Sequence, residues 1–140
     1  MKNLILLLIL FTFTVSAQYM SDDEINKTMI ATAEHYSKNL PMRIDQISTL
    51  IKIYAGLDRD LVYVYSVKIK FGTLRDGERR EILVPLIEEH YREMETNNYC
   101  SQSGLLKIFR DQNITLEHHY VDQDSKYLFD VRLSVKDCDI

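Results

Sequence analysis

The chain has 140 residues, with 17 lysines and arginines against 21 aspartates and glutamates, a net charge of −4. That balance gives nucleic-acid binding no global support, because attraction to a phosphate backbone needs a basic surface. With 46% hydrophobic residues, nine tyrosines among them, the composition is that of a packed globule and not of a disordered tail.

The first seventeen residues read as a secretory signal. Lys2 supplies a positive charge, Leu4 to Phe11 is an unbroken apolar run that continues to Val15, and Val15-Ser16-Ala17 offers small residues for cleavage before Gln18. The apolar core is shorter than the ~20 residues that span a bilayer. No cysteine follows the cleavage point, so a lipid anchor is not expected. Residues 18–140 are then expected to form a single α+β domain, periplasmic or secreted, with no stable membrane insertion after cleavage.

Ser21-Asp22-Asp23-Glu24 has the spacing of a capping box and opens a helix whose apolar stripe is Ile25, Met29, Ala33, Tyr36 and Leu40. Pro41 disfavours helical geometry before it, so the helix should stop near Asn39. Two runs of period two follow. Ile47, Thr49, Ile51 and Ile53 alternate with Leu50, Lys52 and Tyr54; then Leu61, Tyr63, Tyr65, Val67 and Ile69 alternate with Val62, Val64, Ser66, Lys68 and Lys70. Turn residues from Gly56 to Asp60 join them as an antiparallel hairpin.

Gly72 and Asp76-Gly77 interrupt the pattern. Pro85 suits the first turn of a second helix, with Leu86, Ile87, His90, Tyr91 and Met94 on one stripe beside Glu88, Glu89, Glu93 and Glu95. A short third helix spans residues 102–111, and Asn113 can end it in the left-handed conformation. A second hairpin closes the chain. Ile114, Leu116, His118 and Tyr120 share a face, as do Tyr127, Phe129, Val131, Leu133 and Val135, around the turn Asp122 to Ser125. The predicted fold is a four-stranded antiparallel sheet of two hairpins with helices packed on one face, in the order α-ββ-αα-ββ.

Cys100 and Cys138 are the two cysteines. In an exported chain without Cys-x-x-Cys spacing they should form a structural disulfide. Closing a loop of about 39 residues stabilises a fold by ~4 kcal/mol on the chain-entropy account.

Cys100, Leu105, Leu106, Tyr120, Asp122, Asp124 and Cys138, with Leu40-Pro41 before the first strand, form a layout that resembles a group of small exported bacterial proteins of unknown function. The layout runs cysteine, helix, strand, Asp-x-Asp turn, strand, cysteine, and covers about a third of the chain. Where the group has glycine after the aspartate pair, this chain has Ser125. The resemblance implies an exported, disulfide-bonded domain and carries no activity with it.

Candidate chemistry is sparse. His118 and His119 are adjacent on a strand and point to opposite faces, so they cannot share an ion. Histidine 90 with Glu93 is a weak pattern on a helix edge. Asp122 and Asp124 lack the remaining ligands of a calcium loop and are expected to bond their own turn. Four isolated glycines supply neither a nucleophile elbow nor a phosphate loop. No catalytic, cofactor or metal residues are therefore assigned, and no cofactor is expected.

One surface remains. The polar sheet face should gather Lys52, Lys68, Lys70, Arg132 and Lys136 beside Tyr54, a docking surface for an acidic protein partner. The expected function is an exported non-enzymatic binding or accessory domain acting through a protein partner, as an inhibitor, an immunity-type protein or a component of an envelope assembly. A carrier of a small apolar ligand and an enzyme with a dispersed site are the alternatives. The disulfide has a direct check: the unreduced mature chain should weigh two hydrogens less than its reduced form, and free thiols at both cysteines would refute the export argument.

Overall fold

The computed structural model describes residues 19–69 and 77–138. The predicted signal, Lys70, Phe71, Gly72 and Asp76 lie outside the described residues.

The capping box forms as its spacing predicts. The Ser21 hydroxyl accepts the Glu24 amide at 3.3 Å and the Glu24 carboxylate accepts the Ser21 amide at 3.0 Å. Helix α1 runs Asp22–Ser37 and buries Ile25, Met29, Ala33 and Tyr36. After a cis Leu40–Pro41 bond the chain makes a two-residue strand, β1 (Met42–Arg43), which the period-two reading does not predict. Strands β2 (Ser48–Ala55) and β3 (Asp60–Val67) form the expected antiparallel hairpin.

Helix α2 (Gly77–Cys100) begins earlier than predicted, so Pro85 lies inside it and not in its first turn. The ring leaves the Glu81 carbonyl without its helical donor. Around it Ile82, Leu83 and Leu86 are exposed, and the buried side chains come later, at Tyr91, Glu95 and Tyr99. Helix α3 (Ser103–Asp111) follows, and Asn113 turns the chain at φ 52°, as expected. Strands β4 (Thr115–Val121) and β5 (Tyr127–Leu133) form the second antiparallel hairpin. A 3-10 turn at Val135–Asp137 leads to Cys138, which is bonded to Cys100 with the Cα atoms 5.5 Å apart.

The fold is α+β, but the sheet has five strands and is mixed. Its order is β1-β2-β3-β4-β5, and β3 pairs with β4 in parallel. Each hairpin is antiparallel within itself; their mutual direction is set by the connection, and a crossover through two helices returns the chain to the same end of the sheet. Helix α1 packs against β2 and α2 against β5, both on the face that buries Tyr63, Tyr65, Tyr120, Phe129 and Val131.

Two bulges redirect side chains that strict alternation would misplace. Leu50 pairs with Tyr65 and Lys52 with Val64, so Ile51 is an extra residue on β2. Leu50 and Ile53 therefore share the inner face, while Ile51 is turned out and 40% exposed. On β5 a register shift opposite Tyr120 and Val121 buries Leu128 and leaves Tyr127 exposed.

Arg59 is the main tie between distant segments. It occupies the second central position of a turn from Leu57 to Asp60, with Asp58 at φ 52° and itself at φ 64°. Left-handed geometry costs a side-chain-bearing residue roughly 1–2 kcal/mol. In return the buried guanidinium donates to Asp22 Oδ1 at 2.8 Å, the Met20 carbonyl at 2.7 Å and the Gln112 carbonyl at 2.8 Å, with the Tyr19 ring 4.0 Å away. Gln112 Oε1 in turn accepts the Met20 amide at 2.7 Å. Truncation by Arg59→Ala should lower the unfolding free energy in urea by about 2 kcal/mol, since the buried Gln112 carbonyl and the half-buried Met20 carbonyl lose charged donors. Arg59→Gly should recover about 1 kcal/mol of that by relieving the backbone. Asp22→Asn should cost less than ~1 kcal/mol, because that carboxylate is 91% exposed. An Arg59→Ala variant as stable as the native chain would refute the clamp.

Candidate functional site

Under the sheet lies a row of polar aromatics. Tyr65, Tyr120 and Phe129 are register partners across β3, β4 and β5, and their rings stack at 4.8 and 4.7 Å. Tyr91 from α2 lies over Tyr120 at 4.7 Å. The Tyr120 hydroxyl donates to Glu95 at 2.9 Å, and Tyr65 shares a hydrogen bond of 3.1 Å with His118 Nδ1, which lies 3.6 Å from the Glu95 carboxylate. Tyr91 donates to Asp45, whose other oxygen accepts the amides of Ile47 and Ser48.

Such a constellation has the residue types of an acid–base site, and its burial argues otherwise. Glu95 is 2% exposed, His118 3% and Tyr120 fully buried. A general base must come within hydrogen-bond reach of its substrate, and here the surrounding rings occupy that space. Glu95, expected on the solvated side of its helix, is inside because the true stripe is Tyr91, Glu95 and Tyr99 at four-residue spacing. That spacing was visible in the sequence, but a charged residue on it is ordinarily read as surface.

Burial holds the His118 imidazole below its ordinary value near 6.5, against the opposing pull of the Glu95 charge. The unfolded chain protonates this ring near pH 6.5 while the folded chain resists until lower pH. Its contribution to stability is thus complete above pH 6.5 and is lost as the pH falls through the folded-state value. Urea unfolding between pH 7 and pH 5 should show a decline of up to about 1.4 kcal/mol per pH unit from this residue. His118→Phe, which keeps a ring in the stack, should give a flatter profile, and parallel profiles would refute the assignment.

Of the residues expected to form one docking surface, Tyr54 and Arg132 share the open face along the register row Tyr54–Val62–Glu117–Arg132, with Lys52 on the adjacent row. Lys52 and Tyr54 lie together on β2, the ammonium 5.0 Å from the ring centroid. Lys68 is exposed just past β3, lining a cleft of about 260 Å³ with Arg43, Gln46 and Gln123. Arg132 is exposed on the open face and pairs there with acids, its Nη2 at 2.9 and 3.0 Å from the Asp60 carboxylate and its Nη1 3.8 Å from Glu117. Lys136 leaves the sheet because β5 stops at Leu133; it lines a different cleft, beside Phe109, Ser134 and Cys138. Lys70 lies outside the described residues.

What the structure adds around Lys52 and Tyr54 is a groove. β1 pairs only with Thr49 and Leu50, so the rest of β2, Ile51 to Ala55, has no strand on its outer side among the described residues. Helix α1 runs alongside, and the two enclose an open groove of about 530 Å³ walled by Ile30, Ala33, Ser37, Ile53 and Tyr54, with Glu34 and Lys38 at its rim. Ile30, Ile51 and Tyr54 are each 40–42% exposed, and the Ser37 hydroxyl donates to the Ile53 carbonyl at 3.3 Å. His90 is exposed on α2. Asp122 acts within its turn, accepting the amides of Asp124 and Lys126 at 2.8 and 2.9 Å.

No protein-family model matches the chain, and no curated protein sequence does. Solved structures do share its architecture. A Pseudomonas aeruginosa protein described as a candidate secreted protein matches with a TM-score of 0.65 at 15% identity, over 84% of this chain and 95% of the other. The type II secretion system pilotin EpsS of Vibrio vulnificus matches with a TM-score of 0.61 at 8% identity, over 84% and 94% of the two chains. The type II secretion system pilotin AspS of Vibrio cholerae matches with a TM-score of 0.54 at 9% identity, over 83% and 94%. At these identities the likeness is one of fold, and no helix among the described residues is long and apolar enough to cross a membrane. The chain is similar in architecture to a secreted protein and to secretion-system pilotins.

Proposed function

We propose that this chain is an exported, non-enzymatic accessory domain of an envelope assembly that works by holding a protein partner in the groove between α1 and the uncovered half of β2. The observation that carries the reading is the short β1, which leaves Tyr54 exposed on the groove that Ile30 also walls. Exposed apolar side chains gathered around a groove are what a docking site supplies. The fold shared with two secretion-system pilotins and the resemblance to small exported proteins support the envelope role over an inhibitor or immunity protein.

The occupant is an amphipathic segment of the partner. The Ser37 side chain stands at the Ile53 carbonyl, so a strand added to β2 would have to displace or share that contact, and side-chain docking is favoured over ladder pairing. Apolar side chains of the segment meet Ile30 and Tyr54, and a carboxylate meets Lys52.

A photo-crosslinking residue placed at position 30 or 54 of the exported chain, in cells of the source organism, should capture one and the same protein. Placed at Tyr127, on β5 at the opposite edge of the sheet, it should not. Tyr54→Ala should weaken binding of that protein about tenfold or more, as for an aromatic at the centre of an interface. Lys52→Glu should slow its association. Equal capture from position 127, or binding unchanged in Tyr54→Ala, would overturn the reading.

A further inference from the structure

We propose that Glu117, His119 and Asp130 form a binding site for a divalent transition ion of the zinc class on the open face of the β4–β5 hairpin. Glu117 and His119 are two residues apart on β4 and share that face, and Asp130 on β5 is the direct register partner of His119. Their ligand atoms all lie within 4.8 Å of one another, and among the described residues they are the group so placed. The adjacent-histidine argument stands, because His118 points into the core; the second ligand side chain comes from the neighbouring strand.

The geometry is close to what an ion needs. Zinc sits about 2.0–2.2 Å from imidazole nitrogen and carboxylate oxygen, which puts ligand atoms roughly 3–3.5 Å apart in a tetrahedral site. Small rotamer shifts on a half-exposed surface supply the difference: the side chains of Glu117, His119 and Asp130 are 24%, 32% and 37% exposed. His119 Nδ1 is hydrogen-bonded to Asp130 Oδ1, so an ion entering there would replace that contact. The Tyr127 ring lies 5.3 Å from the imidazole, forming one wall.

Ligand chemistry selects the class. An imidazole with two carboxylates suits zinc and its neighbours in the first transition row, while calcium and magnesium call for more oxygen ligands. Three protein ligands leave a coordination position for water or for a carboxylate from outside the chain. Arg132 is the opposing group, with Nη1 3.8 Å from Glu117. Its Nη2 is held by Asp60, so Glu117 can turn to an ion without leaving that guanidinium unpaired.

The test is calorimetric titration of zinc chloride into chelator-stripped, disulfide-intact protein at neutral pH. One ion should bind per chain, and His119→Ala and Asp130→Asn should each weaken binding about tenfold or more. Arg132→Gln should tighten it several-fold by removing a nearby positive charge, which adventitious binding elsewhere would not show. His35→Ala and His90→Ala should leave it unchanged. In the native chain, nuclear magnetic resonance of the imidazoles should show zinc moving the His119 signals and not those of His118, a readout independent of any variant's folding. No binding at millimolar zinc, loss of binding in His90→Ala, retention in His119→Ala, or equal affinity for calcium would overturn the proposal.

Discussion

The arrangement of this molecule depends on a carboxylate taken out of water. Glu95 is 2% exposed, and its stability rests on the Tyr120 hydroxyl at 2.9 Å with His118 close by. A buried carboxylate deprived of such donors costs several kcal/mol. One register of α2 over the sheet satisfies it, and that register also seats Tyr91 on the Tyr65–Tyr120–Phe129 row. The same helix ends at Cys100, so its position sets where the disulfide to Cys138 can close. A polar contact with narrow geometric tolerance thereby fixes a layer whose other contacts are apolar and less particular about register.

The crossover that carries α2 has a second effect. It joins the two hairpins through the parallel β3–β4 pair in the middle of the sheet, which leaves β2 near one edge with only β1 outside it. The strand that could cover that edge is only two residues long, and it pairs with the first part of β2 alone. An uncovered strand beside a helix is the feature on which the proposed function rests. The bulge at Ile51 adds an outward apolar side chain next to Tyr54, so the local irregularity and the short neighbour act on the same few residues.

Charge braces one segment against another more than the sequence suggests. Arg59 ties the turn between β2 and β3 to the start of α1 and the end of α3, and Arg132 joins β5 to β3 through Asp60. Both guanidiniums have planar donors that serve several acceptors at once, which suits them to bracing segments. Among the described residues the open side of the sheet carries Lys52 near the groove, Lys68 at the end of β3 and Arg132 paired with Asp60.

Local spacing was enough to read the capping box at Ser21, the stripe of α1, the left-handed Asn113, the Asp122 turn and the inward set Leu116, His118 and Tyr120, because each depends on residues within a few positions of one another. The pairing of Cys100 with Cys138 followed from chemistry and expected compartment. Other features depend on neighbours far along the chain. The face presented by Ile51 follows from a register shift against β3; the direction of β4 from the return of two helices; the burial of Glu95 from a tyrosine 25 residues away. His119 and Asp130, eleven positions apart, became one group only when β4 and β5 paired. Periodicity specifies which face of an element is apolar, but partner, register and strand direction are set by packing between elements, and for this protein those decided where a site could be.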